Sequence, residues 1–130
     1  MLSFWNSLVL VAAGGALGAS LRFLTGYTVK GIDFPLGTLL VNGLGSFFIG
    51  FIAGLGTSQE SLFTKPGPRI FFITGVLGGF TTFSAFSLET LELFQAGKAS
   101  HAVFNIVLNN GVAIVLAYIG YIAADSLKKG

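Results

Sequence analysis

Four long apolar runs separated by short polar interruptions organise this chain. They cover about residues 3–29, 35–55, 69–94 and 100–124. Each is long enough to cross a hydrocarbon core of about 30 Å as a helix rising about 1.5 Å per residue. Trp5 and Tyr27 stand near the two ends of the first run, where interfacial aromatic belts belong. A short loop with Lys30, Gly31 and Asp33 follows, and Pro35 is placed to begin the second helix. The longest loop, 56–68, holds Glu60, Lys65, two prolines and Gly67. Residues 95–98 read as a tight turn, with Gly97 as a helix stop and Ser100 as the cap of the fourth helix. A polar tail closes the chain at 125–130. The pattern predicts an all-α membrane protein, a single transmembrane domain over residues 1–130 with no linker and no second domain. No basic residue precedes the apolar stretch Leu8–Ala13, and no cleavage site stands out from the Gly/Ala background, so the first helix is expected to be retained.

The third run departs from what lipid favours. Its centre, Gly78-Gly79-Phe80-Thr81-Thr82-Phe83-Ser84-Ala85-Phe86-Ser87, has adjacent glycines, four hydroxyls and three phenylalanines. Each glycine weakens a helix by about 1 kcal/mol. The hydroxyls can replace backbone hydrogen bonds where a helix opens. One reading is a helix broken at mid-membrane depth, tolerated only where backbone is buried in protein or lines a wet path, and hence an ion or solute site. The other is a glycine-mediated crossing whose hydroxyls bond back to their own helix. The stretch alone leaves both open.

Composition supports the membrane assignment. The chain is 53% hydrophobic and 9% charged, against about 25% charge in a soluble domain. Cysteine is absent and His101 is the single histidine. That removes disulfides, thiol chemistry and a His- or Cys-based metal site, and no enzymatic activity and no catalytic residue is expected. A net charge of +2 is too small to point to nucleic acid. Small-xxx-small pairs recur at Gly14/Gly18, Gly50/Gly54 and Gly75/Gly79 and allow close backbone approach. Four short helices are too few to enclose a pore alone, so a homo-oligomer is expected. With four spans, Lys65, Arg69, Lys128 and Lys129 fall on one side and Lys30 and Lys98 on the other, joined by Arg22 if it snorkels there. This bias is weak for the positive-inside rule. It permits insertion in both orientations and an antiparallel pair, but the slight excess of four by itself favours a single orientation with cytoplasmic termini.

Several polar residues lie inside the spans. Arg22 is either an electropositive vestibule, or an interfacial anchor or structural cap of a loop carbonyl. Thr38, Asn42 and Ser46 recur every four residues and share one helix face, either as a polar track for an ion or as interhelical hydrogen bonding. Asn105, Asn109 and Asn110 give the fourth helix a similar face. Glu89 and Glu92 follow the central stretch; Glu89, the deeper, is either a proton-coupled carboxylate or a hydrogen-bonded structural acid. Amides, hydroxyls and one arginine, with no carboxylate ring, suit an anion better than a cation. Phenylalanine edges carry positive partial charge, so Phe80, Phe83 and Phe86 can favour an anion where water is scarce, although from the stripe alone plain packing against lipid or helix is the preferred reading.

Three motifs in order carry a resemblance. They are Gly14-Gly15-Ala16-Leu17-Gly18-Ala19-Ser20-Leu21-Arg22-Phe23, Gly37-Thr38-Leu39-Leu40-Val41-Asn42-Gly43-Leu44-Gly45-Ser46-Phe47, and Gly78-Gly79-Phe80-Thr81-Thr82-Phe83-Ser84-Ala85-Phe86. In a chain of this length with four spans they resemble the Fluc (CrcB) family of bacterial fluoride channels, over essentially the whole chain. The resemblance implies four transmembrane helices per subunit, the third broken at its centre, in an antiparallel, dual-topology homodimer with two fluoride pores. It implies a structural Na⁺ at the dimer centre on the backbone carbonyls of Gly78 and Thr81. It matches Phe83 and Phe86 to the facing pore phenylalanines, Asn42 to the pore asparagine, Ser84 to the hydroxyl between the phenylalanines, and Arg22 to the vestibule. Thr38 and Glu89 match positions beside the pore, and Thr82 and Asn109 complete the expected polar lining. Ala85 stands where the family often has Thr, and Asn105 and Asn109 where hydroxyls or Tyr are common, which bears on the outer polar track. The implied function is passive export of cytoplasmic fluoride through the bacterial inner membrane, conferring fluoride resistance. The rivals are a small multidrug-type proton-coupled antiporter using Glu89 and a non-transporting membrane scaffold.

Overall fold

The computed structural model describes residues 2–29, 33–57 and 61–127. Lys30 and Gly31 of the first loop, Glu60 of the longest loop and the tail lysines Lys128 and Lys129 lie outside the described residues. The architecture is all-helical, and among the described residues there is no strand. Helix α1 spans Phe4–Thr28 and α2 Leu36–Leu55. A 3₁₀ turn at Leu62–Thr64 leads into a continuous helical stretch of α3 (Pro66–Arg69), a π-helical segment (Ile70–Leu77) and α4 (Gly78–Phe80). Helices α5 (Phe83–Gln95) and α6 (Ala99–Leu127) complete the chain. Four segments, Phe4–Thr28, Leu36–Leu55, Pro66–Gln95 and Ala99–Leu127, are long and apolar enough to cross a membrane, and the chain is a multi-pass membrane protein.

The helix ends follow local chemistry. The Ser3 hydroxyl accepts from Asn6 N–H and caps α1. Pro35 is the N-cap of α2, one residue before the helix. Pro66 occupies the first turn of α3, where its missing N–H costs nothing. Gly97 closes the turn after α5 with φ of 73°, the left-handed geometry that favours glycine. Ser100 does not cap the fourth span, because α6 already begins at Ala99.

Packing divides the spans into two seams. Helix α1 lies along the π-helical segment and α4, while α2 lies along α6. In the first seam, a Cβ at Gly14 would fall 2.5 Å from the Phe71 carbonyl oxygen, and one at Gly79 would fall 2.6 Å from the Gly15 carbonyl oxygen. In the second, a Cβ at Gly54 would sit 2.7 Å from Ala124 Cβ, and Cβ atoms at Gly50 and Gly120 would collide with the backbone of Ala117 and Phe47. Backbone-to-backbone contact without side chains is how helices associate where no hydrophobic effect drives them together. The seams bury few large side chains, and Val41 and Asn105 are the largest that are fully buried. Large apolar residues such as Trp5, Phe23, Ile114 and Tyr118 face outward, as a bilayer solvent requires.

Candidate functional site

Between α4 and α5, Thr81 and Thr82 leave the helix with extended backbone (φ −80°, ψ 157° and φ −152°, ψ 117°). Thr81 still closes the preceding turn, its N–H and hydroxyl both donating to the Leu77 carbonyl at 3.0 Å. Thr82 starts the next helix, its Oγ1 accepting from Ala85 N–H at 3.1 Å. In a continuous helix the Thr82 N–H would bond the Gly78 carbonyl. Here it donates to Asn42 Oδ1 at 2.8 Å, and Asn42 Nδ2 donates to the Thr82 carbonyl at 3.1 Å. One asparagine amide from α2 thus satisfies both backbone groups of Thr82, as an unpaired backbone group in an apolar interior would be costly. Gly45, also on α2, leaves the space that the Thr81 methyl fills.

Arg22 reaches inward from α1 and donates from a guanidinium nitrogen to the Thr81 carbonyl at 3.1 Å. It therefore caps a carbonyl at this interruption and not one in a loop. Thr38, one turn before Asn42 on α2, donates its hydroxyl to Glu89 Oε1 at 2.6 Å. The other Glu89 oxygen is buried with no protein partner among the described residues. The expected stripe of Thr38, Asn42 and Ser46 is thus one face with separate tasks: Thr38 holds the acid, Asn42 holds Thr82, and Ser46 lines a cavity.

Two cavities meet at Thr82. One, of about 330 Å³, is lined by Asn42, Thr82, Phe83, Phe86, Asn109 and Asn110 among others. The other, of about 260 Å³, is lined by Arg22, Thr38, Thr82 and Glu89 among others. The first brings together five of the pore residues expected from sequence and both expected cation ligands, Gly78 and Thr81; the second collects Thr38, Arg22 and Glu89 and shares Thr82. Ser84 lies outside both and is exposed, bonded to Thr82 Oγ1 at 3.2 Å. Phe83 and Phe86 stand with ring centroids 5.2 Å apart and planes inclined by 51°. Phe86 is 7% exposed whereas Phe83 is 74% exposed, so Phe83 projects from the surface of the single chain.

The fourth span contributes more than the sequence suggested. Asn109 accepts from Asn42 at 2.9 Å and donates to Asn105 at 2.7 Å, and Asn105 donates to the Thr90 hydroxyl at 2.9 Å. Asn105 is fully buried and Asn109 5% exposed. Their four-residue spacing was visible in the sequence; Thr90 gave no signal there. Asn110 bonds back to Ile106 of its own helix and stands apart from this set. Asn42 has two amide protons, and both are engaged within the protein.

Among the described residues no group of three His, Cys, Asp or Glu could hold a metal ion. A cation would have to use backbone oxygen, the ligand type that hard cations accept. Gly78 fits that demand, since its carbonyl has lost the Thr82 N–H to Asn42. Thr81 fits through the lone pair that Arg22 leaves, a carbonyl oxygen having two.

Comparison with known proteins places this geometry. Residues 9–121 match the family described as CrcB-like protein, Camphor Resistance (CrcB). The chain belongs to this family. A Shewanella pealeana protein named fluoride-specific ion channel FluC is 48% identical over 118 residues, which cover 88% of this chain and 93% of that relative. A Rhizobium meliloti protein of the same name is 44% identical over 118 residues, covering 88% and 93%. One from Aquifex aeolicus, also so named, is 42% identical over 120 residues, covering 90% and 95%. The CrcB resemblance carried by the three glycine-rich motifs is thereby borne out.

Proposed function

We propose that the chain is a fluoride-selective passive ion channel of the bacterial inner membrane, and not an enzyme. The observation that carries this reading is the meeting of two cavities at Thr82 in a family whose relatives are named fluoride-specific ion channels. One cavity offers phenylalanine rings and amides; the other offers a guanidinium, a hydroxyl and a carboxylate. Fluoride is small and strongly hydrated, so a pore must replace its water with donors while holding it loosely enough for release. Phe83 and Phe86 can offer ring edges, Asn109 and the hydroxyls of Thr82 and Ser84 supply donors, and Arg22 raises the local anion concentration. Asn42 joins the lining as the residue that holds the Thr82 backbone. Thr38 and Glu89 form the vestibule wall.

The exposed Phe83 belongs in a pore only if a second chain covers it. We therefore place the pores between two subunits of an antiparallel homodimer inserted in both orientations, with the non-helical Thr81 and Thr82 forming the break in the third span. The carbonyls of Gly78 and Thr81, duplicated by the partner, would hold a structural Na⁺. Bound there, the ion would neutralise converging carbonyl dipoles and tie the two chains together. Fluoride would move down its electrochemical gradient, outward under a negative membrane potential.

Anion efflux from liposomes carrying purified protein tests the assignment, comparing fluoride with chloride for the wild type and Phe83→Ile. The expected outcome is fast fluoride efflux, negligible chloride efflux, and a mutant slowed by about tenfold or more, the rate equivalent of about 1.4 kcal/mol. Unimpaired efflux in the mutant would remove Phe83 from the pore. No fluoride efflux from folded dimer would remove the channel.

A further inference from the structure

The hydrogen bonds around Asn42 form one directed chain. It begins at the Thr82 backbone N–H, which can only donate, and passes through Asn42, Asn109, Asn105 and Thr90. It ends where the Thr90 hydroxyl donates to the Phe86 carbonyl at 2.7 Å, a group that can only accept. An asparagine amide can be turned over, exchanging donor and acceptor, with almost no change in shape. Here it cannot. Because Thr90 spends its proton on Phe86, its oxygen must accept, so Asn105 must point Nδ2 at Thr90 and Oδ1 at Asn109. Asn109 must then point Nδ2 at Asn105 and Oδ1 at Asn42, and Asn42 must point Nδ2 at Asn109, leaving Oδ1 for Thr82. The two backbone ends demand the same polarity at every link. Both ends also lie at the start of α5, at its N-cap Thr82 and at Phe86, bracketing Phe83. The chain leaves Thr82, crosses α2 and α6, re-enters α5 at Thr90 about two turns on, and ends one turn back at Phe86.

We infer that Asn105 is a positioning residue, which fixes the orientation of the Asn109 and Asn42 amides and through them the Thr82 backbone and the Phe83–Phe86 turn. Asn105 does not line the cavity that holds the two phenylalanines; it acts through Asn109. The link to anion passage rests on the proposed channel function, whereas the amide polarity does not. The orientation leaves the second Nδ2 proton of Asn109, and not those of Asn42, for an anion in that cavity.

The test uses the full-length protein labelled with ¹⁵N-asparagine, whose five side-chain amides are followed by NMR in detergent, paired with fluoride efflux from liposomes. In the wild type the Asn42 side-chain amide should exchange slowly with solvent. Asn105→Leu keeps bulk but removes both hydrogen-bonding functions. It should speed Asn42 exchange by about tenfold or more and slow fluoride efflux similarly, as expected when a buried bond is lost. Asn105→Asp keeps an acceptor for Asn109 but loses the donor that Thr90 requires and buries a carboxylate, so it should behave like Asn105→Leu. Thr90→Val cuts the chain at its far end with little change of shape, and should also speed Asn42 exchange if Asn105→Leu fails to fold. Unchanged Asn42 exchange in Asn105→Leu, or in Thr90→Val, would overturn the inference. Wild-type protein with a protected Asn42 amide and no fluoride efflux would overturn the channel function while leaving the amide chain intact.

Discussion

At the residue scale, Glu89 separates the channel from its main rival. Its carboxylate accepts the Thr38 hydroxyl at 2.6 Å, with the second oxygen buried beside the cavity that Arg22 lines. A proton-coupled antiporter needs an acid there that gains and loses a proton in each cycle. A channel needs only the acceptor that holds Thr38. Glutamine keeps a carbonyl for Thr38 and nearly the same volume, but cannot carry a proton. Glu89→Gln is therefore expected to keep fluoride efflux within about threefold of wild type, a change below about 1 kcal/mol. Collapsing a proton gradient with an ionophore should leave the rate of both proteins unchanged. Abolished transport in Glu89→Gln, together with dependence on the proton gradient, would favour the antiporter. The same scale shows why Arg22 is not interchangeable with a surface cation. It donates to the Thr81 carbonyl in a partly buried setting, where a charged hydrogen bond is worth more than an exposed one.

At the element scale, glycine determines how near the spans come. Gly50 meets the Ala117 carbonyl across the α2–α6 seam so closely that any Cβ collides with backbone. Gly111, on the same α6, has nothing within 4 Å of an added Cβ. Gly50→Ala should destabilise the fold by about 1–3 kcal/mol through overpacking. Gly111→Ala should be neutral or stabilise by about 0.5–1 kcal/mol, the helix preference of alanine over glycine. Thermal unfolding in detergent compares them; equal melting temperatures would mean that the seam is not tightly packed. Much of this organisation was legible beforehand. Apolar run length gave the four spans, because a bilayer demands a minimum of continuous hydrophobic helix. The glycine pairs marked residues that the structure puts in the seams. The π-helical segment Ile70–Leu77 was not legible, since its widened turn carries no composition of its own and lies where α1 packs against it. Nor was the role of Thr90. A single threonine in an apolar helix becomes informative only when tertiary structure brings Asn105 to it. Ser100 misled for the opposite reason: a good capping residue was passed over because the turn at Gly97 lets the helix start at Ala99.

At the scale of the whole molecule, the distribution of charge bears on insertion. Arg22 is held at the Thr81 carbonyl and drops out of the count of loop cations. That leaves Lys65, Arg69, Lys128 and Lys129 against Lys30 and Lys98. A difference of two basic residues is a small bias for a rule that needs a clear excess, so both orientations should be populated. The protein has no cysteine, which makes the test direct. Ala96 lies exposed in the turn between α5 and α6, directly after the third apolar span. Ala96→Cys in intact cells should react with a membrane-impermeant thiol reagent to about half of completion, the remainder reacting only after permeabilisation. A single orientation would give all or none. The outward-facing surface bears on assembly as well. Phe83 is 74% exposed in one chain, and an exposed ring lining the cavity that holds Asn42 and Asn109 fits a subunit boundary. If both orientations coexist and the active unit is an antiparallel pair, adding basic residues to one loop should drive the population toward one orientation. Fluoride efflux should fall with the minority orientation, because unpaired chains cannot complete the cavity. Full activity in a uniformly oriented population would break the link between dual insertion and the pore, and would require Phe83 to be covered by a parallel neighbour.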